Sequence, residues 1–257
     1  RGVVDSEDLP LNISREMLQS SPVLARLKTA ITRRVLGELK KQAEKAPDDY
    51  ARFWDNFGAV LKEGIYEDEA RRDELLALAR FHSTAGEETT SLAAYLERAK
   101  EGQEAIYYIS GDDLDGLRQS PQLEGYRARG IEVLLLTDAV DSFWLTAVDA
   151  FAEKPFRSVT RGAADLSEIE PEKTDEASDD DLREADIATV IAALKQNLGE
   201  AVKDVRASER LTDSAVCLVA DEGDLDMHLE RLLKAQQQLD FAASRILEIN
   251  PRHQLIR

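Results

Sequence analysis

Apolar residues begin to recur at three- and four-residue spacing at Val23. Val23, Leu24, Leu27, Ile31, Val35, Leu36 and Leu39 share one stripe, which predicts a helix over 20–45. Ser20 or Ser21 supplies an N-cap, and Pro22 sits just inside the start. Ala46-Pro47-Asp48 ends this helix and caps a second, where Tyr50, Phe53, Trp54, Phe57, Val60 and Leu61 form an aromatic-rich stripe. Further helical stretches follow at 67–80 and 91–100.

The period then changes. Ala105-Ile106-Tyr107-Tyr108-Ile109 is a β-prone run closed by Ser110-Gly111-Asp112. The run at 131–136 has too little polar alternation for a half-exposed strand and reads as a buried parallel one. A helical stretch at 114–130, broken near Ser120-Pro121, joins the two. Strand, helix and strand make one βαβ unit with a right-handed crossover. Residues 140–151 read as another helix and 156–159 as an edge strand.

Nearer the C-terminus, Ile187, Val190, Ile191, Leu194, Leu198 and Val202 predict a long helix over 182–202. Strands at 205–211 and 214–220 are expected to join through Thr212-Asp213. A helix at 225–238 and a strand at 245–249, stopped by Asn250-Pro251, complete the pattern. The expected fold is α/β and α+β: a helical layer plus a βαβ part over 1–164, then a small α+β domain over 187–257.

Charge marks the join between them. The 257 residues carry 33 basic and 51 acidic side chains, a net charge of −18. Residues 165–186 hold eleven acids and two bases, half of that excess. They are also poor in apolar side chains, so the stretch reads as an acidic linker. The acidic balance argues against nucleic acid and anionic membrane as partners. One cysteine excludes a disulfide framework. The chain has no signal-peptide pattern and no apolar run of about 20 residues. It opens on Arg1 and is expected to be an internal section of a longer cytoplasmic protein.

Little in the chain points to free-standing catalysis. Glycine-rich phosphate loops and a nucleophile elbow are missing from the sequence. His82, His228 and His253 are far apart, without metal-ligand spacing, and read as surface or helix-end residues. Cys217, inside Ala215-Val216-Cys217-Leu218-Val219, reads as a buried inert thiol. No metal site is expected.

The opening run at 2–19, GVVDSEDLPLNISREMLQ, is more specific than a polar loop needs to be. It resembles the signature of the heat shock protein 90 molecular chaperones, in particular the bacterial HtpG type. Other segments match in order: Gly64-Ile65-Tyr66-Glu67-Asp68, Phe81-His82-Ser83-Thr84 leading to Ser91-Leu92 and Tyr95, and Gln103 to Ile109. Gly130-Ile131-Glu132-Val133, Lys154-Pro155-Phe156, Ser208-Glu209-Arg210-Leu211 and Leu247-Glu248-Ile249-Asn250-Pro251 complete the set. Together they cover nearly the whole chain.

The resemblance implies a dimeric, ATP-driven heat shock protein that binds non-native client proteins and assists folding. This chain matches the later middle domain and the first part of the C-terminal domain, without the dimerisation helices. ATP with Mg would be held by the family's N-terminal domain, a partner of the middle domain, so no cofactor and no independent turnover are expected of residues 1–257. Arg15 matches the arginine that reaches the γ-phosphate, and Gln19 its polar companion; a planar, permanently charged guanidinium suits phosphoryl oxygens. The resemblance also implies client contact at Phe143 and Trp144, where the family has an exposed aromatic. A second client patch is implied at Leu225, Met227, Leu229, Leu232 and Leu233, on a helix that in the family is often Met-rich and mobile. The other reading is a non-catalytic protein–protein interaction scaffold, which would need no placed arginine at position 15.

Overall fold

The computed structural model describes residues 22–162, 166, 169, 184–239 and 243–256. Two compact units divide after Asn56. The first contains helix α1 (Pro22–Lys45) and the start of α2 (Pro47–Glu67). Pro47 begins α2, where its missing N–H costs nothing, and Asp48 and Asp49 place negative charge in the first turn.

The second unit begins with the rest of α2 and a six-stranded sheet of order β2-β1-β4-β3-β6-β5. Its strands are β1 (Phe81–Ser83), β2 (Gly86–Thr90), β3 (Ile106–Ser110), β4 (Leu134–Leu136), β5 (Ala150–Phe151) and β6 (Lys154–Ser158). β3 runs parallel to both β4 and β6, and antiparallel strands flank this centre. The expected βαβ unit is therefore present. Helix α3 (Arg72–Leu78) precedes the sheet, and α4 (Leu92–Glu97) follows β2. The crossover from β3 to β4 is two short helices, α5 (Leu114–Arg118) and α6 (Glu124–Ala128), interrupted at Ser120-Pro121. Tyr107, Ile109, Val133 and Leu135 face them over a core that includes Leu117, Leu123 and Tyr126.

Three local expectations need correction. The chain at 140–151 forms only one helical turn, α7 (Asp141–Trp144), before entering β5. Ala152 and Glu153, both at positive φ, reverse it into β6. Residues 156–159 are therefore not a separate edge strand; 156–158 are the end of a longer β6, whose first residues, Lys154 and Pro155, pair with β5. On α2, Phe57 is 54% exposed and Val60 62%, whereas Lys62 is 4% exposed. The buried face starts as expected with Tyr50 and Trp54 but continues through Gly58, Lys62 and Ile65 rather than through Phe57 and Val60.

Beyond the acidic stretch lie α8 (Glu184–Leu198), β7 (Asp204–Ala207), β8 (Val216–Val219), α9 (Met227–Ala235) and β9 (Ile246–Ile249). The strands at 205 and 216 are not a hairpin, since β9 lies between them, parallel to β7 and antiparallel to β8. Cys217 is buried, and burial pushes its thiol up to about 12.

Polar ties hold this small sheet to the large one. The Glu124 carboxylate accepts the N–H groups of Thr212, Asp213 and Ser214 at 2.8, 2.9 and 3.1 Å, and the Ser214 hydroxyl donates to it too. Buried Arg210 donates to the carbonyls of Val159 and Gly162 and pairs with Glu248 at 2.9 Å. Ala220 N–H donates to Thr160 O, and Gly162 N–H to Ala220 O, each at 2.9 Å. Gly125 admits no side chain: a Cβ there would lie 2.7 Å from Arg210 Cα. Leu166 and Ile169, inside the stretch expected to be a linker, pack on the core, and Arg129 donates to both their carbonyls.

Burial alone would raise the Glu124 pKa, but the four donated hydrogen bonds outweigh it and hold the carboxyl below its usual value of 4.5. A depressed folded-state pKa contributes stability that is complete above the unfolded value and is lost as pH falls through the folded one. Glu124→Gln is expected to cost about 1 kcal/mol at pH 7, allowing for solvent screening. In urea unfolding the gap to wild type should narrow below pH about 4.5. A gap that stays constant down to pH 4 would contradict this.

Candidate functional site

Buried Lys62 joins α2 to α7. Its ammonium lies 2.8 Å from Asp138 Oδ2 and 2.9 Å from Asp141 Oδ1. It also sits 4.9 Å from the centroid of the Phe81 ring. Asp141 is fully buried. Burial raises its pKa, against the pull of the Lys62 charge and of a 2.7 Å hydrogen bond from Trp144 Nε1. Its other oxygen accepts the Asp138 N–H at 3.2 Å. One carboxylate thus fixes the lysine, the loop before α7 and the indole.

Trp144 is 0% exposed. Its ring meets Phe81 at 5.9 Å and packs edge-on against Phe156 at 5.3 Å. The expectation of an exposed aromatic therefore needs correction at Trp144, whose N–H is bound by the Asp141 carboxylate inside the fold. Phe143, on the same helical turn, is half-buried and lines an open hollow of about 290 Å³ with Glu63, Tyr66, Glu67 and Val140.

The second expected patch is also partly interior. Asp226 caps α9 by accepting the His228 N–H at 2.9 Å. Its other oxygen accepts the hydroxyls of Ser158 at 2.5 Å and Thr160 at 3.0 Å, at the end of β6. The cap therefore docks α9 on the large sheet. Leu229 is buried, and Met227, Leu232 and Leu233 are half-buried. Leu225 is 41% exposed. Leu225 and Leu229 face Leu145, Val148 and Phe156 across a cleft of about 210 Å³. Met227 and His228 line a neighbouring cleft of about 270 Å³ with Ile109 and Leu117. His228 is at a helix end, as expected, but it is buried there rather than on the surface.

Arg15 and Gln19 lie outside the described residues. Among the described residues no group of His, Cys, Asp and Glu is arranged to hold a metal, and no helix is long and apolar enough to cross a membrane.

A family model described as Hsp90 protein matches residues 1–257, the whole chain. The chain belongs to the Hsp90 family. It is 60% identical over its full length to the Chaperone protein HtpG of Roseobacter denitrificans, 57% to that of Paramagnetospirillum magneticum and 56% to that of Mesorhizobium japonicum. It spans 41% of each of these relatives.

Within this Hsp90 chain, sequence reading named Phe143 and the α9 positions but did not name Lys62 and Asp141, which are 79 residues apart. A usable signal was present at one end: Lys62 falls four residues from Gly58 and three from Ile65, both buried. Glu63, Tyr66, Glu67 and Val140, which complete the hollow, carry no motif beyond the Gly64–Asp68 match.

Lys62→Met is expected to destabilise the second unit by about 3–5 kcal/mol, because it leaves Asp141 buried and uncompensated. Adding Asp141→Asn should recover a large part of that loss in denaturant titrations. A single variant as stable as wild type would refute the pairing.

Proposed function

We propose that the chain is a client-binding and ATPase-completing section of an HtpG-type chaperone. The division proposed is a middle-domain part over 1–164, an acidic linker at 165–186 that is tied to the core at Leu166 and Ile169, and a C-terminal part over 187–257. The observation that carries the client reading is Phe143, held half-exposed at an apolar hollow by a helical turn anchored on Lys62 and Asp141. A rigid anchor presenting an apolar side chain suits recognition of many non-native segments without folding around each one. The α9 residues Leu225, Met227, Leu229, Leu232 and Leu233 form the second contact. They become more accessible if the Asp226 cap releases from Ser158 and Thr160. Trp144 acts from beneath as a positioning residue.

In the whole protein, ATP with Mg belongs to the N-terminal domain, a further partner, and the protein works as a homodimer in the cytoplasm. The donor set at positions 15 and 19, a guanidinium and a carboxamide, fits phosphate oxygens, and Arg15 would stabilise charge on the terminal phosphoryl group. Membership in the Hsp90 family and the match of the 2–19 run support this reading.

Hydrogen exchange with a permanently unfolded client should show added protection around Phe143 and on α9, and Phe143→Ser should weaken binding about tenfold. No protection at either place would remove the client assignment. In the intact protein, Arg15→Ala should lower ATP turnover at least 100-fold with nucleotide affinity unchanged. Unchanged turnover would remove the arginine's role.

A further inference from the structure

The hollow beside Phe143 has a charge pattern as well as an apolar wall. Its lining is Glu63, Tyr66, Glu67, Val140 and Phe143, and none of these residues is basic. Glu63 and Glu67 are exposed and stand one helical turn apart on α2. The cation between Val60 and Glu63 in sequence, Lys62, points inward and is bound by Asp138 and Asp141. Burying that lysine also turns the 62% exposed Val60 to the surface, one turn before Glu63. The exposed face of α2 thus runs from an apolar side chain to two carboxylates, with the Phe143 hollow beside them.

We propose that this hollow selects clients by charge, taking an apolar side chain flanked by lysine or arginine in preference to the same side chain flanked by acids. The proposal rests on the reading of Phe143 as a client contact and adds the chemistry of the preferred segment. Charge complementarity identifies the occupant. Two carboxylates beside an apolar wall attract cationic flanks and repel acidic ones, so the apolar contact supplies affinity while the rim discriminates. The preference has a built-in scale: rim charges in water are individually weak and are screened within about 10 Å at 0.1 M salt.

Three fluorescent peptides with one shared apolar core and lysine, neutral or glutamate flanks, titrated into the 257-residue chain, test the proposal. At low salt the lysine peptide is expected to bind at least fivefold more tightly than the glutamate peptide, with the gap shrinking at about 0.5 M salt. Glu63→Gln with Glu67→Gln should close most of the gap between the lysine and glutamate peptides. Equal affinities, or a gap that survives in the double variant, would overturn charge selection. Phe143→Ala separates the two levels. If it weakens all three peptides but charge has no effect, only the present proposal falls; if it changes nothing, the client reading falls with it. Self-association that the peptides cannot compete away, seen by sedimentation and lost in Phe143→Ala, would assign the hollow to a second copy of the chain and overturn the proposal.

Discussion

An ammonium group inside a protein has to be neutralised where it stands, and Lys62 is neutralised by two aspartates 76 and 79 residues away, one in the loop before α7 and one at its start. That requirement fixes more than one contact. It sets the rotation of α2, because the helix must turn its lysine inward and therefore leaves Val60 outside. It sets the position of α7, because Asp141 is both the countercharge and the acceptor of the Trp144 indole. Trp144 then packs on Phe81 and Phe156, strands β1 and β6 of the sheet. A pair like this contributes little net stability against an apolar replacement, but either half alone is costly, so it favours one arrangement over its neighbours.

The contact between the large and small sheets rests on different chemistry. Its ties are directional and mostly end on backbone groups: Glu124 on three successive amides, Arg210 on two carbonyls, Asp226 on two hydroxyls and a helix N-terminus. Each donor or acceptor would be unsatisfied in a slipped register. Gly125 adds a steric limit, since only hydrogen fits against Arg210.

What sequence could show followed from where the signal was local. The helix starts at Pro22 and Pro47 and the buried strands at Ile106 and Leu134 were legible because proline chemistry and short apolar runs leave marks in neighbouring residues. β2 was not, because Gly86-Glu87-Glu88-Thr89-Thr90 is a polar edge strand. The turn at Ala152-Glu153 lacks the Gly or Asn that usually announces positive φ, so the apolar residues before it looked like a longer helix. The chain at 211–215 resembled a hairpin turn because its actual support, Glu124, comes from about 90 residues earlier. At the candidate site, the aromatic Phe143 was visible by resemblance. The rotation of α2 that exposes Glu63 and Glu67 was not, since it depends on a charge pair closed only in three dimensions.

The small sheet has its last strand in the middle. Among the described residues, β7 and β8 each have β9 as their one strand partner, and β9 is not complete until Ile249. On a ribosome, more than forty residues from Asp204 onwards must emerge before either earlier strand has a ladder partner. Glu248, the countercharge of Arg210, arrives on that same strand. Until then Arg210 is an unpaired cation and both strand edges are open to other chains. The small sheet therefore passes through a vulnerable stage during synthesis, and the closing of β9 ends it.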